Sequence, residues 1–96
     1  MYGTVAQLTV IDGKRDEMVN AFQTQMTGFD PGEQTTFLYK LDNDPNALII
    51  ATVFESKAAY QSNAARPETH ERFVLIRSYL QEDPVWHDGE VFQHVE

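Results

Sequence analysis

An α+β fold is what this sequence predicts, a four-stranded antiparallel sheet with helices on one face, and three observations predict it. The hydrophobic pattern alternates between strand and helix periods in the order strand, helix, strand, strand, helix, strand. The third strand segment, ALIIATVF at residues 47–54, is apolar on both faces, so both faces must be covered. The chain has 96 residues, enough for one hydrophobic core and too few for two, so one domain over 1–96 is expected.

Residues 2–11, YGTVAQLTVI, are rich in β-branched and apolar side chains and stop at Asp12-Gly13, which reads as a first strand ending in a turn. Met18, Val19, Phe22 and Met26 then recur at helical spacing and fall within one arc. That predicts an amphipathic helix of about 14 residues with Gly28 as its stop. After the loop GFDPGEQ, the segment TTFLYKLD puts Phe37, Tyr39 and Leu41 on one side of a second strand.

Asp42-Asn43-Asp44-Pro45-Asn46 is dense in turn formers and should join this strand to residues 47–54 as an antiparallel hairpin. Ser56 suits an N-cap for the short helix SKAAYQSNA, which Arg66-Pro67 ends. Pro67 in turn suits the first turn of a longer helix reaching Leu80, with Phe73, Ile76 and Leu80 on its apolar arc. Val85 to Val95 reads as a last strand, interrupted at Asp88-Gly89 by a bulge or a tight hairpin. The order β-α-β-β-α-β is the split βαβ, ferredoxin-like arrangement. Its helix-free sheet face, apolar on the third strand, would meet the same face of a second copy, so a homodimer is expected.

Composition narrows the function classes. There is no cysteine, so thiolate metal sites, disulfides and cysteine nucleophiles are excluded. The opening MYGTVAQLTV has no basic leader and no segment approaches the length of a membrane helix, so a cytoplasmic setting with no membrane partner is the simplest reading. Seven basic against fifteen acidic residues give a net charge of −8, which repels phosphate backbones, so no nucleic-acid partner is expected.

Through the opening YGTVAQLTVIDGKRDEMVNAF, the stretch FESKAAYQSNAARPETHERF after the hairpin and the closing PVWHDGEVFQ, the chain bears a resemblance to the antibiotic biosynthesis monooxygenase family of dimeric α/β barrels. The resemblance implies a ferredoxin-like dimer and, in one branch, oxygenation of a small aromatic or quinol substrate without metal or flavin, so no cofactor is expected. In the haem-degrading branch a tryptophan and a histidine ligand follow the Ala-aromatic pair. Counted from Ala59-Tyr60, those positions hold Asn63 and Phe73, so haem chemistry is not expected.

His70 and Arg77 lie seven residues apart and therefore share a side of the long helix. There His70 would take a proton from a phenolic substrate and Arg77 would stabilise the anion, making them the candidate catalytic pair. A boundary histidine and a snorkelling arginine fit the same spacing. Tyr39, Phe54, Tyr60, Phe73 and Trp86 are the candidate walls for an aromatic ligand, although aromatics at such positions also serve as ordinary core. Asn63 is a candidate hydrogen-bonding group for a ligand, and equally a capping residue before a helix break.

A metal site at His87, Glu90 and His94 conflicts with strand alternation, which puts His87 on the opposite face from the other two. Asp42-Asn43-Asp44 begins like a calcium loop but has Ala47 and Val53 where glycine and glutamate are needed, so it reads as a turn. A non-catalytic binding or structural dimer of the same fold is the alternative to the oxygenase reading.

Overall fold

The computed structural model describes residues 1–26 and 28–95. Its elements are β1 (Tyr2–Thr9), α1 (Arg15–Gln25), β2 (Glu33–Lys40), β3 (Ala47–Phe54), α2 (Lys57–Ala64), α3 (Pro67–Arg77) and β4 (His87–Glu90). The sheet order is β2-β3-β1-β4 with every neighbouring pair antiparallel, the ferredoxin-like topology expected from the order of elements.

Register decides which side chains meet the helices. Leu8 lies opposite Leu48, Ala6 opposite Ile50 and Thr4 opposite Thr52, so these six residues share one sheet face. At one end of that face Leu8, Val10 and Leu48 pack with Met18 of α1 and with Leu80 into a buried cluster. Val19, Phe22, Ile50 and Ile76 pack against its edge. The opposite face carries no helix. There Val5 and Phe37 flank Ala51, Tyr39 pairs with Ile49, and Val5, Phe37 and Tyr39 are exposed.

Local chemistry accounts for the helix boundaries. The Ser56 hydroxyl accepts the Ala59 amide at 3.0 Å, capping α2, and Pro67 opens α3 where no amide donor is needed. α3 was expected to reach Leu80 but ends at Arg77. Beyond it the Tyr79 amide bonds the Ile76 carbonyl and the Leu80 amide bonds that of Arg77, a tighter turn that delivers Leu80 to a bridge with Val10. At the same end of the sheet Arg15 secures the β2–β3 turn by donating to the Leu41 and Asp44 carbonyls at 3.1 and 2.8 Å.

Three expected boundaries shift. β2 begins at Glu33 and ends at Lys40, two residues earlier than TTFLYKLD suggests. The first strand ends at Thr9, with Val10 continuing only as an isolated bridge. The last strand is confined to His87–Glu90 and runs through Asp88-Gly89 without a bulge or hairpin, because Asp88 pairs with Thr4 and Gly89 with Gly3 in a regular ladder. No described helix is long and apolar enough to cross a membrane.

Candidate functional site

The buried cluster fills only one end of the space between helices and sheet. Towards the Thr52 end the strand residues become small and polar and the gap opens into a cleft of about 630 Å³. Phe22 of α1, Met26 just after it, Phe54 of β3, Phe73 and Ile76 of α3, and Trp86 ahead of β4 supply its apolar walls. A cleft of this size falls within the usual range of small-molecule sites.

One polar end is built around Asp30. Arg72 of α3 grips both its carboxylate oxygens, at 2.7 and 2.6 Å, and Arg66 approaches one of them at 3.5 Å. Burial alone would raise the Asp30 pKa, but the Arg72 hydrogen bonds and charge outweigh it and hold the carboxyl below its ordinary range. The same pairing raises the Arg72 pKa, so the guanidinium stays charged. The Asn63 amide oxygen accepts from Arg66 at 3.2 Å and from the Thr69 hydroxyl at 3.4 Å, which fixes a side chain that is only 9 % exposed. Gly32, at φ +80°, makes the turn that presents Asp30, and a Cβ there would lie 2.7 Å from that of Ala59.

The other polar end joins three elements. The Tyr60 hydroxyl of α2 donates to Asp88 Oδ1 of β4 at 3.0 Å, and the buried Thr4 hydroxyl of β1 donates to the same oxygen at 2.7 Å. The Tyr60 ring is held by Tyr2 and by the edge-on Phe54 ring, with centroids 5.3 and 5.6 Å away. Burial first and the Asp88 hydrogen bond second raise the Tyr60 pKa, with Thr4 opposing, so its hydroxyl keeps its proton. Between the two ends, Thr36 bonds Glu33 at 2.6 Å and Thr52 at 2.7 Å along the floor.

Six of the eight residues singled out from sequence line this cleft: Phe54, Tyr60, Asn63, His70, Phe73 and Trp86. His70 is exposed at the rim. Tyr39 is not among them. It belongs to the helix-free face, because its pairing with Ile49 points it away from Ile50 and the cleft. Arg77 is also elsewhere. Seven residues of helix carry it about 10 Å along the axis from His70, over the filled end of the core. There it bonds Asp83 at 2.6 Å and the Leu80 carbonyl at 2.8 Å.

The cleft's arginine is Arg72, which the sequence did not single out. Asp30 sits in Asp-Pro-Gly, a turn signature, and no spacing links it to Arg72. Among the described residues no group of three metal-capable side chains converges.

The sequence profile of the antibiotic biosynthesis monooxygenase family matches residues 1–74. No curated protein sequence matches the chain. Among solved structures, the ActVA-Orf6 monooxygenase of Streptomyces coelicolor, determined in complex with the ligand nanaomycin D, superposes with a TM-score of 0.82 at 18% identity, covering 99% of this chain and 90% of its own. SnoaB of Streptomyces nogalater, a cofactor-independent oxygenase, gives 0.82 at 18% identity, covering 98% and 95%. A conserved protein of Methanosarcina mazei gives 0.78 at 17% identity, covering 92% and 89%. At such identities the likeness is one of fold.

Proposed function

The chain belongs to the antibiotic biosynthesis monooxygenase family, and from that premise we propose that it is a cofactor-independent monooxygenase that oxidises a small aromatic or quinol substrate in the cleft between α1, α3 and the sheet. The observation that carries this reading is a cleft with aromatic walls and a polar group at each end. Dioxygen is the oxidant: the substrate, once an anion, supplies all the electrons, one oxygen atom enters the product and the other leaves as water. The chain then needs only to bind the substrate flat, exclude water, take one proton and steady the negative charge.

His70 at the rim is the candidate proton acceptor, since a neutral imidazole carries a ring nitrogen free to accept one. Arg72 replaces Arg77 as the cation beside the substrate, with Asp30 holding it in place. Phe54, Tyr60, Phe73 and Trp86 are the proposed substrate contacts, with Asn63 orienting the polar end.

The working unit is proposed to be a homodimer of single-domain protomers, 1–96 each, acting in the cytoplasm. Its support is the helix-free face, where Val5, Phe37 and Tyr39 surround Ala51 and Ile49. Oxygen uptake with anthrone and hydroquinone compounds tests the enzymatic reading. A rate above the spontaneous one is expected, and no acceleration across such compounds returns the chain to the non-catalytic binding dimer of the same fold.

A further inference from the structure

β4 is an edge strand of four exposed residues, too short to add much to the core. One of its side chains nevertheless reaches the cleft's chemistry. Asp88 Oδ1 accepts a hydrogen bond from Tyr60 and another from Thr4, and both of these residues line the cleft.

A hydroxyl has one proton and two lone pairs. Once the proton is committed to Asp88, only lone pairs are left to face the cleft. We infer that Asp88 is a positioning residue that turns Tyr60 and Thr4 into paired hydrogen-bond acceptors, so that this end of the cleft selects ligands presenting a free hydroxyl. This rests on the proposed function only for the aromatic class of the ligand.

Three features of the site support it. Tyr60 is clamped between Tyr2 and Phe54, so its hydroxyl has little freedom to swing away from Asp88. Thr4 is 3 % exposed, so water does not compete with Asp88 for the proton it donates at 2.7 Å. The accepting group is a carboxylate, whose hydrogen bonds are about twice as strong as those to neutral acceptors. Burial and Asp88 also keep Tyr60 protonated at neutral pH, which maintains the arrangement.

The selectivity is measurable as the affinity ratio between naphthol and its methyl ether, two ligands that differ only in whether the oxygen carries a proton. The wild-type chain should prefer naphthol by about tenfold, the worth of one hydrogen bond in a partly closed site. Asp88→Ala frees both hydroxyls to donate, and the ratio should fall to about twofold or less. Asp88→Asn keeps an acceptor oxygen in place and should retain the preference, which separates positioning from general loosening of β4.

A second measurement needs no ligand. In NMR of Cζ-labelled tyrosine, Tyr60 should titrate above the ordinary tyrosine value of 10.0 and move down towards it in Asp88→Ala. Equal binding of the two probes by the wild type, a preference that survives Asp88→Ala or is lost equally in Asp88→Asn, or a Tyr60 titration unmoved by Asp88→Ala overturns the inference. None of these results touches the enzymatic reading, which oxygen uptake with anthrone decides separately.

Discussion

Arg72 holds Asp30 through two parallel hydrogen bonds of 2.7 and 2.6 Å, and this pair fastens the middle of α3 to the turn that leads into β2. It is the bidentate geometry in which an arginine gains most from a carboxylate. Asp30 is 16% exposed, so it depends on its partner more than a surface acid would.

Removing the guanidinium leaves that acid without its main partner. Arg72→Met should lower unfolding stability by about 1–2 kcal/mol, the lower part of the usual range because Arg72 itself is a third exposed. Urea denaturation checks it, and a change within error would mean that solvent already screens the pair.

The same pair sets a pH dependence. The Asp30 pKa is lowered on folding, so the unfolded chain binds the proton more readily. Its contribution is therefore complete above the ordinary value of 3.8 and is lost as the pH falls through the lower folded value. Asp30→Asn should be less stable than wild type at neutral pH, and the gap should narrow through this acid range. A gap that stays constant on acidification would remove Asp30 from the account.

Two members of α3 should separate in an activity assay. His70→Ala is expected to lower oxygen consumption with a reactive anthrone by about 10²-fold, the usual worth of a positioned base. Arg77→Ala should change it by less than about twofold, because Arg77 is spent on Asp83 and the Leu80 carbonyl. The reverse order would put the proton acceptor elsewhere.

On the helix-free face the expected assembly is open to a direct mass measurement. Light scattering after size exclusion should give twice the chain mass of 11.0 kDa. Ile49→Asp, which puts a charge beside Tyr39 and into the proposed interface, should yield monomer or unfolded chain, since an unpaired buried charge costs several kcal/mol. A monomeric wild type would refute the dimer.

Element order was legible in the sequence because each element carries its own period and its own stops. β3 spans 47–54 as read, and Ser56 and Pro67 open α2 and α3 as their chemistry requires. The losses are non-local. Alternation correctly grouped Phe37 with Tyr39, but only pairing with β3 says which face that group takes. Helical spacing correctly put His70 and Arg77 on one side, yet it says nothing of where the cleft ends along the axis. Asp88-Gly89 looked like a break because turn chemistry is local, whereas Asp88 spends its carboxylate on Thr4 and Tyr60, and Gly89 lies opposite Gly3. The Asp30–Arg72 pair spans 42 positions and left no periodic trace.

Filling the helix–sheet gap at only one end divides the chain's tolerance of change. Substitutions at Leu8, Met18, Leu48 or Leu80 are paid for in folding, because each side chain is closely surrounded. Phe29 and Trp86 border open space, and both are more than a third exposed, so exchanging them alters the shape a ligand meets at little risk to the fold. Such a chain can drift towards a new substrate while its scaffold is inherited intact.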